Sequence, residues 1–178
     1  IPSENREEVK SVFNFNSRML AKYISNLNET TLQTPFYICG ALNVNARNFD
    51  VQLRLAEEKL QKGVQMLLTQ PVLSKQGALN LRRAHQQLGA KILAGIMPPV
   101  SYRNACFMHN EISGITLDEE LIESYRDKTP EEARALGVQV ACQVVQGVAE
   151  FCDGFYMIPP FNKVDIICDI LELLWQRR

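Results

Sequence analysis

VQMLLTQPVLSKQGALNLRRAHQQLGAKILAGIMPP, residues 64–99, is the stretch that decides the fold. It opens on an apolar run, Val64–Thr69, which Pro71 halts. Ser74 is placed to cap a helix running to Leu88, and Gly89 ends it. A second apolar run, Lys91–Ile96, stops at Pro98-Pro99. Two strands joined by a helical crossover of this length lie parallel.

The same alternation extends in both directions. Upstream, Phe36–Leu42 is a short continuous apolar run, predicted as a strand buried on both faces. A polar loop over Asn43–Asn48 then leads into a charged amphipathic helix from about Asp50 to Lys62, with Gly63 as its left-handed cap. Before these, Met19, Leu20, Tyr23, Ile24 and Leu27 recur at helical spacing and predict a helix over Asn16–Leu27. Asn28–Thr31 breaks that pattern.

Downstream, Ser101 to about Asn110 reads as a short helix. Thr116-Leu-Asp-Glu119 and Thr129-Pro-Glu-Glu132 both fit a capping box, so each predicts a helix start, the second running to about Phe151. Gly154–Ile158 is the fourth strand, Pro159-Pro160 ends it, and an amphipathic helix over Val164–Trp175 follows. A helix and then four strand-helix units predict an α/β fold with four parallel strands. Two architectures fit: an open doubly wound sheet, or one half of a (β/α)8 barrel, whose eight strands need about 250 residues.

Composition narrows the function. With 19 Lys plus Arg against 20 Asp plus Glu, the net charge is -1, and no general field attracts a nucleic acid. The longest uncharged stretch, Ala135–Ala149, falls short of the roughly 18 apolar residues of a membrane span. No signal peptide opens the chain, and its first residue is Ile1, which predicts a segment of a longer protein. Cys39, Cys106, Cys142, Cys152 and Cys168 form no C-x-x-C, so no disulfide framework or metal site is expected. They read as small hydrophobes in a reducing, cytoplasmic setting.

In parallel α/β folds ligands bind at the carboxyl ends of the strands. Here these ends are Asn43-Val-Asn45, Thr69-Gln70-Pro71, Met97-Pro98-Pro99 and Ile158-Pro159-Pro160, a polar, amide-rich and almost uncharged set. An amide offers both a donor and an acceptor, which suits a flat heterocycle with mixed edges. Gln70 is the sharpest case, with tying down a neighbouring loop as its alternative role. His85 is expected to face solvent, and His109 to sit near a helix end, where a cation would complement the dipole. Asp153 precedes its strand, at the wrong end for catalysis. Glu57, Glu58, Glu119 and Glu120 belong to solvated helical faces. Lys59 also reads as solvated unless its helix borders a nucleotide cofactor. No phosphate-binding glycine motif and no H-E-x-x-H is present.

The segment Gly95–Gly114, GIMPPVSYRNACFMHNEISG, with Thr69-Gln-Pro-Val72 before it, resembles the methylenetetrahydrofolate reductase family. It looks closest to the branch fused to a homocysteine methyltransferase domain. Ser11–Ser17, Ala41–Asn45, Glu58–Gly63 and Asp153–Phe161 extend the match in the same order. The resemblance implies a flavin-containing (β/α)8 barrel that reduces 5,10-methylenetetrahydrofolate to 5-methyltetrahydrofolate, in the one-carbon chemistry of methionine biosynthesis. In that family FAD takes a hydride from NADH or NADPH and passes it to the folate.

Carried over by position, the resemblance makes Gln70 the glutamine that reads the pterin and places Asn104 on the folate. Ile158 would offer its backbone to the folate. Lys59 would stand near the flavin phosphates, and Asn43 in the loop approaching the flavin. Glu58 stands where relatives are often basic, and the family's late arginine has no clear counterpart near Lys163. The glutamate tied to proton donation and the aspartate beside the flavin belong to barrel strands that precede this chain. The expectation is therefore that residues 1–178 form a single half-barrel with no catalytic residue of its own, inactive alone, with folate and NAD(P)H as the partners of the complete enzyme. The alternative is a non-catalytic folate-binding or assembly module that forms a homo-oligomer through its open barrel edges. Another folate-using barrel, such as a pterin-dependent methyltransferase, ranks last.

Overall fold

The computed structural model describes residues 15–176. The chain runs α1 (Ser17–Thr30), β1 (Cys39–Leu42), α2 (Phe49–Gln61), β2 (Met66–Pro71), α3 (Lys75–Leu88), β3 (Lys91–Ile96), α4 (Tyr102–Glu111), α5 (Glu119–Glu123), α6 (Pro130–Val148), β4 (Gly154–Met157) and α7 (Val164–Gln176). Of the matching stretch Ser11–Ser17, residues 11–14 lie outside the described part.

All three strand pairs are parallel and the spatial order is β1-β2-β3-β4. Crossovers between parallel strands are right-handed, so strands added always on the same side put every connecting helix on one face. A doubly wound sheet would reverse its order at a switch point. Among the described residues no reversal occurs, and the four strands are wound in one direction, as in an arc of a barrel.

The core follows from this one-sided winding. Leu42, Leu67, Ile92 and Ala94 from the sheet pack with Leu53, Ala56, Leu81 and Ala84 from α2 and α3. A second cluster joins Ile96 to Val138, Cys142 and Val145 of α6 and Ile166 and Ile170 of α7. Arg134 of α6 locks α7 by pairing with Asp165 at 2.9 Å and also with Asp169. On the opposite sheet face Cys39 and Ala41 are exposed, and Met66, Leu68, Gln70, Leu93 and Tyr156 are half-buried. The apolar runs are thus buried on one face, not two, and their inward positions line the concave side.

Several boundaries move for local reasons. α1 starts where predicted, because the Asn16 carboxamide accepts from the Arg18 and Met19 amides, but it continues to Thr30. β1 begins only at Cys39, since Asn28 clamps the Phe36 backbone through both its donor and its acceptor at 2.8 Å. The predicted box at Thr129 forms, with Glu132 returning to the Thr129 amide and Pro130 at the first helical position. The one at Thr116 does not: α5 starts after Asp118 with no side-chain cap. Leu117 instead bridges Leu73, and the Asp118 carboxylate accepts from the Lys75 amide, so it caps α3 rather than its own helix.

Candidate functional site

The carboxyl ends of β1 and β2 are knitted together by amides. The Asn43 carboxamide oxygen accepts from the Asn45 amide at 3.0 Å. Asn45 Nδ2 reaches the carbonyls of Pro71 at 3.1 Å and Gly114 at 2.9 Å. Buried Asn80 donates to the Val44 carbonyl at 2.8 Å. Asn45 and Asn80 therefore satisfy backbone that the loops would otherwise leave unpaired. Part of the amide richness read from the sequence is scaffold.

Gln70 behaves differently. It lies inside β2, not after it, at an irregularity where two residues of β2 (Thr69 and Gln70) stand opposite one of β3 (Ala94) between the pairs Leu68–Leu93 and Pro71–Gly95. Such a bulge re-aims a side chain. Its carboxamide is half-buried and hydrogen-bonds no described residue. Around Gly114 it meets Asn43: a Cβ on Gly114 would lie 3.5 Å from Gln70 Cγ and 3.3 Å from Asn43 Nδ2. The fold thus brings Gln70 and Asn43 together under the loop that carries Gly114, and the tie-down role falls to Asn45.

Asn104 stands in the first turn of α4. Its amide donates to the Ser101 hydroxyl at 3.1 Å, and its Oδ1 accepts from the Val100 amide at 3.1 Å. Its Nδ2 hydrogen-bonds no described residue, and Asn104 lines a groove of about 380 Å³ together with Ser101, Arg103, Phe107 and Phe161. Phe161 is 72% exposed and sits at φ 51°, followed by Asn162 at 59°. A left-handed backbone costs a bulky residue about 1–2 kcal/mol, so the ring is held over the groove against local preference. Ile158 follows β4, and its amide is committed to the Ile96 carbonyl at 2.8 Å, which leaves its carbonyl for a ligand. Sequence reasoning gave Phe107, Phe161 and Tyr156 no site role, although all three lie in the stretches that carry the resemblance.

Gln70 with Asn43, and Asn104 with Ile158 and Phe161, all stand at the same end of the parallel sheet, and no hydrogen bond links the two groups. Lys59 stands elsewhere. The Ile38 carbonyl accepts from the Gln65 amide, so the alternate residues Cys39 and Ala41 turn their peptide groups to the outer edge. Lys59 Nζ donates to that outward Ala41 carbonyl at 2.5 Å. Burial, and secondarily the Arg18 cation, pull its pKa below the usual lysine range. With the ammonium on the sheet edge and the Asn43 oxygen inside a turn, these two residues do not form a cradle for the diphosphate of a flavin as arranged.

The other polar residues singled out in the sequence are paired within the scaffold or exposed. Asp153 pairs with the Ile92 amide at 2.8 Å, at the amino end of the strands. Glu58 pairs with Arg18 at 3.0 Å and Glu120 with Lys75 at 2.9 Å, while Glu57 and Glu119 are exposed. His85 is exposed, as expected. The His109 Nδ1 accepts from the Leu117 amide at 3.2 Å, so that ring anchors a loop. Among the described residues no group of three or more His, Cys, Asp or Glu is placed to hold a metal, and no helix is long and apolar enough to cross a membrane.

The family model for methylenetetrahydrofolate reductase matches residues 17–174. Among solved structures, the chain resembles an uncharacterized protein from Clostridium thermocellum that binds two copies of 5-methyl-5,6,7,8-tetrahydrofolic acid. The TM-score is 0.60 at 15% identity, over 89% of this chain. At that identity the likeness speaks for the fold, and the chain spans only 60% of the length of that protein. No curated protein matches the sequence.

Proposed function

The chain belongs to the methylenetetrahydrofolate reductase family, and we propose that its 178 residues are the folate-facing, C-terminal half of a (β/α)8 barrel from such an enzyme. The whole protein would reduce 5,10-methylenetetrahydrofolate to 5-methyltetrahydrofolate with NAD(P)H and FAD. Its closest branch would be the one fused to a homocysteine methyltransferase domain.

One observation carries the reading. At the carboxyl end of the sheet, the Gln70 carboxamide stands half-buried on a bulge, beside Asn43, with its donor and its acceptor unused by any described residue. A pterin presents donors and acceptors along one flat edge, and a carboxamide answers both at once. Asn104 Nδ2 and the Ile158 carbonyl would hold the rest of the folate. These groups bind and orient, and none is assigned a proton. In the complete enzyme a bound FAD would supply the hydride chemistry. Lys59 would have to leave Ala41 to reach its phosphates, so flavin retention is assigned mainly to residues outside this chain.

The Clostridium thermocellum protein's ligand supports a folate on this fold. Calorimetric titration of 5-methyltetrahydrofolate tests the assignment. Gln70→Ala should weaken binding about tenfold or more, matching about 1–3 kcal/mol for stranding a polar edge. Unchanged affinity, or no binding by the unaltered chain at millimolar ligand, contradicts it. A second reading, an assembly module that pairs with another copy, draws on the half-buried concave face. Lys59 works against it, because a lysine over a strand edge blunts edge pairing.

A further inference from the structure

Gln70 owes its position to neighbours that the folate reading does not use. On β4, the Tyr156 hydroxyl donates to the Thr69 carbonyl on β2, crossing the whole width of β3. The Thr69 hydroxyl donates to the Gln70 carbonyl at 2.7 Å and accepts from the Gly95 amide at 3.0 Å. At the bulge a side chain therefore takes the place of a ladder acceptor, and Gly95 in turn receives the Val72 amide at its carbonyl at 3.1 Å. The crossing is open only because residue 95 has no side chain. A Cβ there would lie 2.7 Å from the Tyr156 hydroxyl oxygen, 2.9 Å from its Cζ and 3.2 Å from the Pro71 nitrogen.

We propose that Tyr156, passing over Gly95, is a positioning residue for Gln70: its bond to the Thr69 carbonyl fixes the bulge from which the Gln70 carboxamide is presented to the folate. The proposal rests on the folate reading for what Gln70 contacts, but not for how Gln70 is held. Extra residues leave a ladder locally unpaired, and a bulge with no substitute partners samples more than one arrangement. Here Thr69 and Tyr156 supply those partners from two sides. Burial pushes the Tyr156 phenol above its usual range, so it remains a donor through neutral and mildly alkaline pH.

The test separates position from ligand. In the ligand-free chain, Tyr156→Phe should speed amide exchange at Gly95 tenfold or more and shift the Gln70 side-chain NH2 resonances, leaving Leu81 in α3 unchanged. Gly95→Ala should move the same resonances by displacing the ring. Unmoved Gln70 resonances in Tyr156→Phe overturn the proposal whether or not folate binds. With 5-methyltetrahydrofolate as probe, Tyr156→Phe should lose a large part of the affinity that Gln70→Ala loses, and the double variant should be no weaker than Gln70→Ala alone. Losses that multiply show the two residues to be independent and also overturn it. If the unaltered chain binds no folate while Tyr156→Phe still moves Gln70, the positioning stands and the folate reading falls.

Discussion

At the scale of single residues, hydrogen-bond satisfaction separates scaffold from candidate site. Asn43, Asn45 and Gln70 look alike in the sequence, as amides at strand ends, yet Asn45 is consumed by backbone carbonyls while the Gln70 carboxamide is not. Spacing could not make that distinction, because it depends on which carbonyls the loops leave unpaired. Tyr125 is the opposite case: it is 1% exposed, its hydroxyl has no partner among the described residues, and burial drives its pKa well above the usual range. A buried hydroxyl without a partner costs about 1–3 kcal/mol, so Tyr125→Phe should stabilise the chain by about 1 kcal/mol in urea unfolding. A loss of stability instead would reveal a partner for that hydroxyl.

At the scale of elements, the periodicity and the proline and glycine stops placed all four strands and the helices between them within a few residues. Gly63 and Gly89 do take positive φ, and Ser74 and Thr129 do cap, while Asn16 and Ser101, read as the first residues of their helices, prove to be caps. Two of the misplaced ends trace to side-chain contacts from outside the segment itself. Asn28 holds Phe36 out of β1, and Asp118 is drawn to α3 from 43 residues away. The two look-alike capping boxes give a direct contrast. Thr129→Ala should cost about 1 kcal/mol, whereas Thr116→Ala should stay within about 0.5 kcal/mol, as surface changes do. Thermal unfolding of both variants checks this, and equal losses would mean that the Thr116 side chain does cap α5.

At the scale of the whole molecule, the strand order does more than any motif to limit function. Four parallel strands wound in one direction leave helices on one face and a half-buried concave face on the other, and they gather the amides at one end. The class of fold was legible because apolar runs and crossover lengths are local facts. The bulge at Gln70 and the reach of Tyr156 were not, since they need β2, β3 and β4 side by side. In the barrel reading, this chain alone should retain no stoichiometric FAD after desalting, read by flavin absorbance; stoichiometric flavin would show that Lys59 and Asn43 suffice. The most direct test of the folate wall is the map of backbone and side-chain NMR shifts as 5-methyltetrahydrofolate is added. The account predicts the largest shifts at Gln70, Asn43, Gly114 and Asn104. Shifts centred instead on the polar cleft between Arg47 and Arg83 at the heads of α2 and α3, or none at saturating ligand, would contradict it.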